Sequence, residues 1–519
     1  MNLLRMICFL LWSYLCLGWE VKSLEEKVGQ LLMAHFQGDV ANEEARELIE
    51  KAHIGGIVYY NWANGLSSLE QVRSLSRGLQ EMAQQSSTKI PLLIAVDQEG
   101  GCISRLVSGF TQFPGNYALA RGASPQEVEE CAYFMGKQLR SAGITMNLAP
   151  VVDVQTNPKN RVIGVRSFGH DPFLVTALGG KMLQGYQRAE VLAVLKHFPG
   201  HGATEADSHE TLPILNKTRD LLEQEDLVPF FALAPLADAV MTAHIKVPSL
   251  DEIAPATLSK KTLGLLRERG FQGVILADSL VMEGVLASCD GDVAKASIEA
   301  LNAGCDLLLL GGKQLLGDRG SLELLAKDVC RAHGEIVRAV KEGRIPQSRI
   351  EESLARVLQL KSKYKEQGKP WVSPVEATAL AEKVSASAVS IYKKGSFHLT
   401  EKKRLVWIPQ EVSLFMDTLS LQGAEILFYP ATVSSEEELK ALDQKALLAE
   451  EIVFCSYNAW KYPVQQKLLA KLQCMGKPLA VIALRDPADV ELCPQADAIL
   501  ATFSPTCLSL QAAYQRLLK

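Results

Sequence analysis

Between residues 24 and about 320 the chain alternates short apolar runs with longer stretches whose apolar positions recur at helical spacing. Eight runs stand out: Leu31 to Phe36, Gly56 to Tyr60, Leu92 to Val96, Met146 to Val152, Val191 to Leu195, Ala239 to Ala243, Gly273 to Ala277 and Cys305 to Leu310. Continuous apolar runs of this length read as strands buried on both faces. The amphipathic stretches between them, such as Pro125 to Ala142 and Asp292 to Ala303, read as helices. Eight such strands with intervening helices predict a (β/α)8 barrel.

Beyond the barrel, Gly343-Arg344-Ile345-Pro346 leads into a helical pattern over Arg349 to Tyr364, with apolar Ile350, Leu354, Val357 and Leu358. The barrel unit is therefore set at residues 24–365. Glu366-Gln367-Gly368-Lys369-Pro370 and Pro374 have linker chemistry, which places a linker at 366–375. Over 376–519, strand-like runs at Arg404 to Ile408, Glu425 to Tyr429, Glu451 to Cys455, Leu479 to Leu484 and Ala498 to Phe503 alternate with helical segments. This predicts a smaller, doubly wound α/β domain.

Residues 1–23 carry a basic start at Arg5, an apolar stretch from Met6 to Trp19 and a polar end at Glu20 to Ser23. That layout is signal-like, and the apolar stretch is short for a membrane span. The expectation is export, to a periplasm or beyond; an uncleaved anchor is the alternative, and a displaced start codon would mean a cytoplasmic protein. The nine cysteines after this segment are scattered without regular spacing, which is no disulfide framework. Over all 519 residues, 48% are apolar and 22% charged, so a large core is readily built. A net charge of −5 and the lack of long basic blocks argue against nucleic acid as a partner.

The candidate chemistry collects where the apolar runs end. Asp97, Asp153, Lys196 with His197, His244 and Asp278 each directly follow a run, and active sites of such barrels occupy that rim. The densest segment is Lys196-His197-Phe198-Pro199-Gly200-His201-Gly202-Ala203-Thr204-Glu205-Ala206-Asp207-Ser208-His209. In an extended loop Asp207 and His209 project to one side, and the carboxylate holds the imidazole in one tautomer and raises its basicity. Three histidines also raise the question of zinc. No cysteine lies nearby, and Pro199, Gly200 and Gly202 break the helical spacing that zinc ligands use. A proton-transfer dyad is the reading, with no metal and no organic cofactor.

This segment resembles the Lys-His-Phe/Ile-Pro-Gly-His-Gly-x4-Asp-Ser-His signature of NagZ-type β-N-acetylhexosaminidases of glycoside hydrolase family 3. The resemblance implies that His209 is the general acid/base with Asp207 as its partner, and that Lys196 and His197 bind the sugar. Gly270 to Gly284 resembles the family's nucleophile segment, with Ala277 and Ser279 flanking Asp278 in place of Ser and Asp, and so implies Asp278 as nucleophile. Asp97-Gln98-Glu99-Gly100-Gly101 resembles a sugar-binding segment. There Asp97 would bind the hydroxyls farthest from the anomeric carbon and Arg105 would assist, although Cys102 departs from the family pattern. Arg166, in Ile163-Gly164-Val165-Arg166-Ser167-Phe168, would bind hydroxyls or position the loop, and His244 would support the site. The implied activity is retaining, exo-acting removal of N-acetylglucosamine from peptidoglycan fragments. A family 3 β-glucosidase or a glycoside phosphorylase is the alternative; a non-catalytic sugar-binding barrel fits poorly with two catalytic groups present.

Overall fold

In the computed structural model, residues 19, 21–205, 207–208, 211–315, 321–363, 374–400, 402–432, 442 and 444–519 are described. The expected leader falls almost wholly outside them, as do His209 and most of the expected linker. Eight parallel strands close a barrel in chain order: β1 (Leu32–Ala34), β2 (Gly56–Tyr59), β3 (Leu93–Val96), β4 (Met146–Asn147), β5 (Leu192–Phe198), β6 (Ala239–Thr242), β7 (Val274–Ala277) and β8 (Leu307–Leu310). Strand β8 pairs back onto β1, so no edge is left open. Every strand residue is buried, as runs covered by helices outside and packed side chains inside require.

Two boundaries differ from the sequence reading. Strand β4 ends at Asn147, because Pro150 has no N–H for the ladder; pairing resumes only as a single bridge between Val151 and Lys196. Strand β5 runs on to Phe198, so Lys196 and His197 lie within the strand and not after it. The Lys196 and Phe198 carbonyls accept from Val152 and Ala243, which keeps the strand paired to its end. Two side chains expected at the end of the strand are thereby fixed within the barrel wall.

At the opposite end, Asp306 precedes β8 and is fully buried. It accepts from Arg349 at 2.8 Å and Arg356 at 3.0 Å and also from Arg267, so one carboxylate staples helices Lys260–Glu268 and Gln347–Ser362 to the barrel floor. Burial raises its pKa, and the three guanidiniums override that and lower it.

In the second domain, β10 (Arg404–Pro409), β11 (Ala424–Tyr429), β12 (Glu451–Ser456), β13 (Leu479–Ala483) and β14 (Ala498–Ala501) form a parallel sheet in the order β11-β10-β12-β13-β14. An antiparallel edge strand, β9 (Ser390–Lys393), pairs with β14. This is a doubly wound arrangement. Alternation along β10 explains its two cores: Val406 and Ile408 join one cluster, Leu405 and Trp407 the cluster on the other face. Helix Pro374–Ala388 sends Ala377, Ala381 and Val384 into the barrel's core cluster, while Ala388 packs with Ala483, Ala501 and Phe503 of the second domain. Among the described residues no helix is long and apolar enough to cross a membrane.

Candidate active site

The C-terminal ends of the strands surround a cavity of 330 Å³. Leu148, Met241, Met282 and Leu309 give it apolar wall, and Asp97, Glu99, Arg105, Arg166, Lys196, His197 and Asp278 converge on it from separate strands and loops.

Glu99 is the hub of one half. Its carboxylate takes a bidentate pair from Arg166, Nε and Nη2 each at 2.8 Å, and a third contact from Lys196 Nζ at 2.7 Å. Lys196 also donates to Asp97 Oδ1 at 2.8 Å, and Arg105 approaches Asp97 Oδ2 at 3.7 Å. Burial alone would raise the Glu99 carboxyl; the Arg166 and Lys196 charges reverse this and hold it far below the usual carboxylate range. For Lys196, burial lowers the pKa and the Asp97 and Glu99 charges more than restore it. Glu99, Arg166 and Lys196 are therefore ionised at neutral pH, and with Asp97 and Arg105 they form a rigid set of donors and acceptors suited to several hydroxyls.

His197 is oriented from behind. Its Nδ1 lies 2.7 Å from Asp153 Oδ2, and Asp153, wholly buried, also accepts the backbone N–H of His197 and, at 2.7 Å, that of His201. With Nδ1–H given to Asp153, Nε2 turns toward Arg166 Nη2 at 3.4 Å and the cavity. His201 is pushed down to about 4 by burial and is neutral. Its Nε2 and Ser208 Oγ are 3.1 Å apart, and the Ser208 carbonyl accepts the Gly284 N–H at 3.0 Å, which anchors the loop carrying Asp207. The Asp207 carbonyl accepts from Thr211 at 3.0 Å. Its expected partner, His209, lies outside the described residues.

Asp278 closes β7 on the other side of the cavity, and its Oδ1 accepts the Ser279 N–H at 2.7 Å. His244 is fully buried and does not line the cavity. Its Nε2 donates to the Ser279 carbonyl at 2.9 Å, and its Nδ1 lies 2.8 Å from Thr257 Oγ1. His244 thus holds the backbone beside Asp278. At the mouth, Tyr60 and Trp62 stack with centroids 5.1 Å apart, and Lys313 Nζ lies 4.1 Å from the Trp62 ring centre.

The structure therefore brings together Asp97, Arg105, Arg166, Lys196, His197 and Asp278, and sets His244 behind them. Sequence reasoning assigned no role to Glu99 or to the Tyr60–Trp62 pair and gave Asp153 no partner. Asp153 did carry a signal, since it ends an apolar run. Glu99 had one only in its motif.

The model of the glycosyl hydrolase family 3 N-terminal domain matches residues 23–360, and the chain belongs to that family. Beta-hexosaminidase A of Pseudoalteromonas piscicida is 38% identical over 339 residues, 62% of this chain and 55% of that protein. The chain thus spans about half the length of that relative. A beta-hexosaminidase of Pseudomonas aeruginosa is 36% identical over 296 residues, 56% of this chain and 84% of that protein. A solved family 3 beta-N-acetylglucosaminidase from Paenibacillus sp. str. FPU-7 superposes with a TM-score of 0.85 at 34% identity, covering 96% of this chain and 97% of that one. Its likeness extends through both domains.

Proposed function

We propose that the chain is a retaining, exo-acting β-N-acetylglucosaminidase that removes terminal N-acetylglucosamine from peptidoglycan fragments. The observation that carries this reading is the convergence of the Asp97–Lys196–Glu99–Arg166 network and Asp278 on one cavity. A sugar held by that network presents its anomeric carbon to Asp278. A carboxylate oxygen of Asp278 bonds to that carbon as the glycosidic C–O bond breaks, and the leaving oxygen takes a proton from His209. Water then attacks the same carbon, gives its proton to His209 and frees Asp278. Asp207 keeps the imidazole basic enough for the second step. The signal-like composition of residues 1–23 supports action outside the cytoplasm, which N-terminal sequencing of protein from its native compartment would test.

Hydrolysis of nitrophenyl N-acetylglucosaminide and of the matching glucoside, with and without phosphate, tests the specificity. The N-acetylglucosaminide should be the better substrate, phosphate should not alter the rate, and NMR should show the β-anomer as first product. Preference for the glucoside, or a sugar phosphate as product, would replace the reading with one of its rivals. The dyad is checked with the leaving group. His209→Ala should slow a natural disaccharide far more than the nitrophenyl substrate, whose leaving oxygen needs little protonation in the first step. Equal losses on both would return the acid/base role to another group.

Asp153 provides a separate check on the sugar clamp. Asp153→Asn removes the charge that orients His197 and keeps the volume, so KM should rise roughly tenfold, about 1.4 kcal/mol, with a smaller change in kcat. A loss confined to kcat would mean that Asp153 serves the chemistry and not the clamp.

A further inference from the structure

A second cleft, 360 Å³ in volume, lies between the barrel and the second domain, on the far side of the loop that bears Arg166. Val162, Ile163 and Arg166 of this loop face the active cavity, whereas Arg161, Gly164 and Val165 face the cleft. The opposite wall is Arg485, Asp486 and Pro487, which follow β13 at the carboxyl edge of the parallel sheet. In doubly wound sheets that edge is where ligands bind.

The charges in the cleft do not balance. Arg161 is neutralised by Asp486 at 2.8 Å and rests over the Trp460 ring. Arg485 makes no ion pair among the described residues. It donates to Tyr457 Oη at 3.1 Å, and the titratable groups that act on it most strongly besides Tyr457 are the Cys102 thiol and a second guanidinium, Arg166. A half-buried guanidinium with no carboxylate and a like charge nearby is costly unless an anion completes it. Asn160 and Gln155 add polar wall, and Pro158, Val165 and Pro487 add apolar wall. The volume is that of a small-molecule site.

We propose that this cleft binds an oxyanion, the carboxylate or phosphate of a small molecule, with Arg485 as its principal cation. Planar two-point donation to the anion is what a guanidinium already oriented by Tyr457 offers. The cleft shares no lining residue with the sugar cavity, so an anion can enter it while the sugar cavity is filled.

Calorimetric titration of the full chain tests this, with N-acetylglucosamine kept saturating so that the sugar cavity is occupied. Inorganic phosphate and N-acetylmuramic acid are titrated separately; whichever binds identifies phosphate or carboxylate as the natural group. Arg485→Gln should weaken that binding at least tenfold and leave hydrolysis of nitrophenyl N-acetylglucosaminide unchanged. Asp486→Asn frees Arg161 as a second cation and should tighten binding, which keeps the proposal testable if the Arg485 variant fails to fold. Binding of neither anion with the cavity filled, or equal affinity in both variants and the parent, would overturn it.

Discussion

Asp278→Asn is expected to yield a folded protein whose hydrolysis of nitrophenyl N-acetylglucosaminide falls roughly 10⁴-fold or more, about 5 kcal/mol of transition-state stabilisation. The side chain is partly exposed to the cavity, and the amide can still accept the Ser279 N–H, so β7 and its packing are preserved. What is lost is the attacking oxygen. Asp278→Gly should in addition be rescued by azide, which can enter the vacated space and attack the anomeric carbon from the same face. The product would be a glycosyl azide of inverted configuration. Near-parental turnover in a soluble Asp278→Asn protein, or azide with no effect on either rate or product, would remove Asp278 from the role of nucleophile.

Glu99→Gln is the second large effect, and it acts on the fold as well as the site. The substitution keeps the shape but leaves the buried Lys196 with Asp97 as its remaining ion-pair partner and takes from Arg166 the carboxylate that holds it at two points. Breaking a buried ion network by removing one partner costs about 3 kcal/mol or more. A lowered urea midpoint together with a KM raised by more than tenfold is the expected pair of results. Unchanged stability would mean that the network is solvated enough to tolerate the loss. The pH dependence has a definite sign. Glu99 titrates lower in the fold than in the unfolded chain, so its contribution is complete above ~4.3 and fades as pH falls toward the folded value. Lys196 titrates higher in the fold, so its contribution is complete below ~10.4 and fades as pH rises through the folded value.

The barrel was legible because parallel strands covered on both faces leave unbroken apolar runs, and all eight runs mark strands. The five parallel strands of the second domain were legible for the same reason. Strand β9 was not: Ser390, Ile391, Tyr392 and Lys393 are half-buried or exposed, so this edge strand has no apolar run to betray it. The residues that line the cavity were mostly legible, since run-end polar groups on a barrel share one rim. Their partners were not. Glu99 meets Arg166 across 67 positions and Asp153 meets His197 across 44, and no spacing rule reaches that far. The extension of β5 through Lys196 and His197 was missed because polar side chains interrupt the apolar pattern although the backbone pairing continues.

Helix Pro374–Ala388 bears on how the molecule moves. To swing away from the barrel as a rigid body, the second domain would have to withdraw Ala377, Ala381 and Val384 from the barrel's core, or else break the contacts of Ala388 with Ala483 and Ala501. Either rupture exposes apolar surface that the fold otherwise keeps dry. Parting the two domains is therefore a partial unfolding of one apolar core or the other, and not the opening of a surface seam.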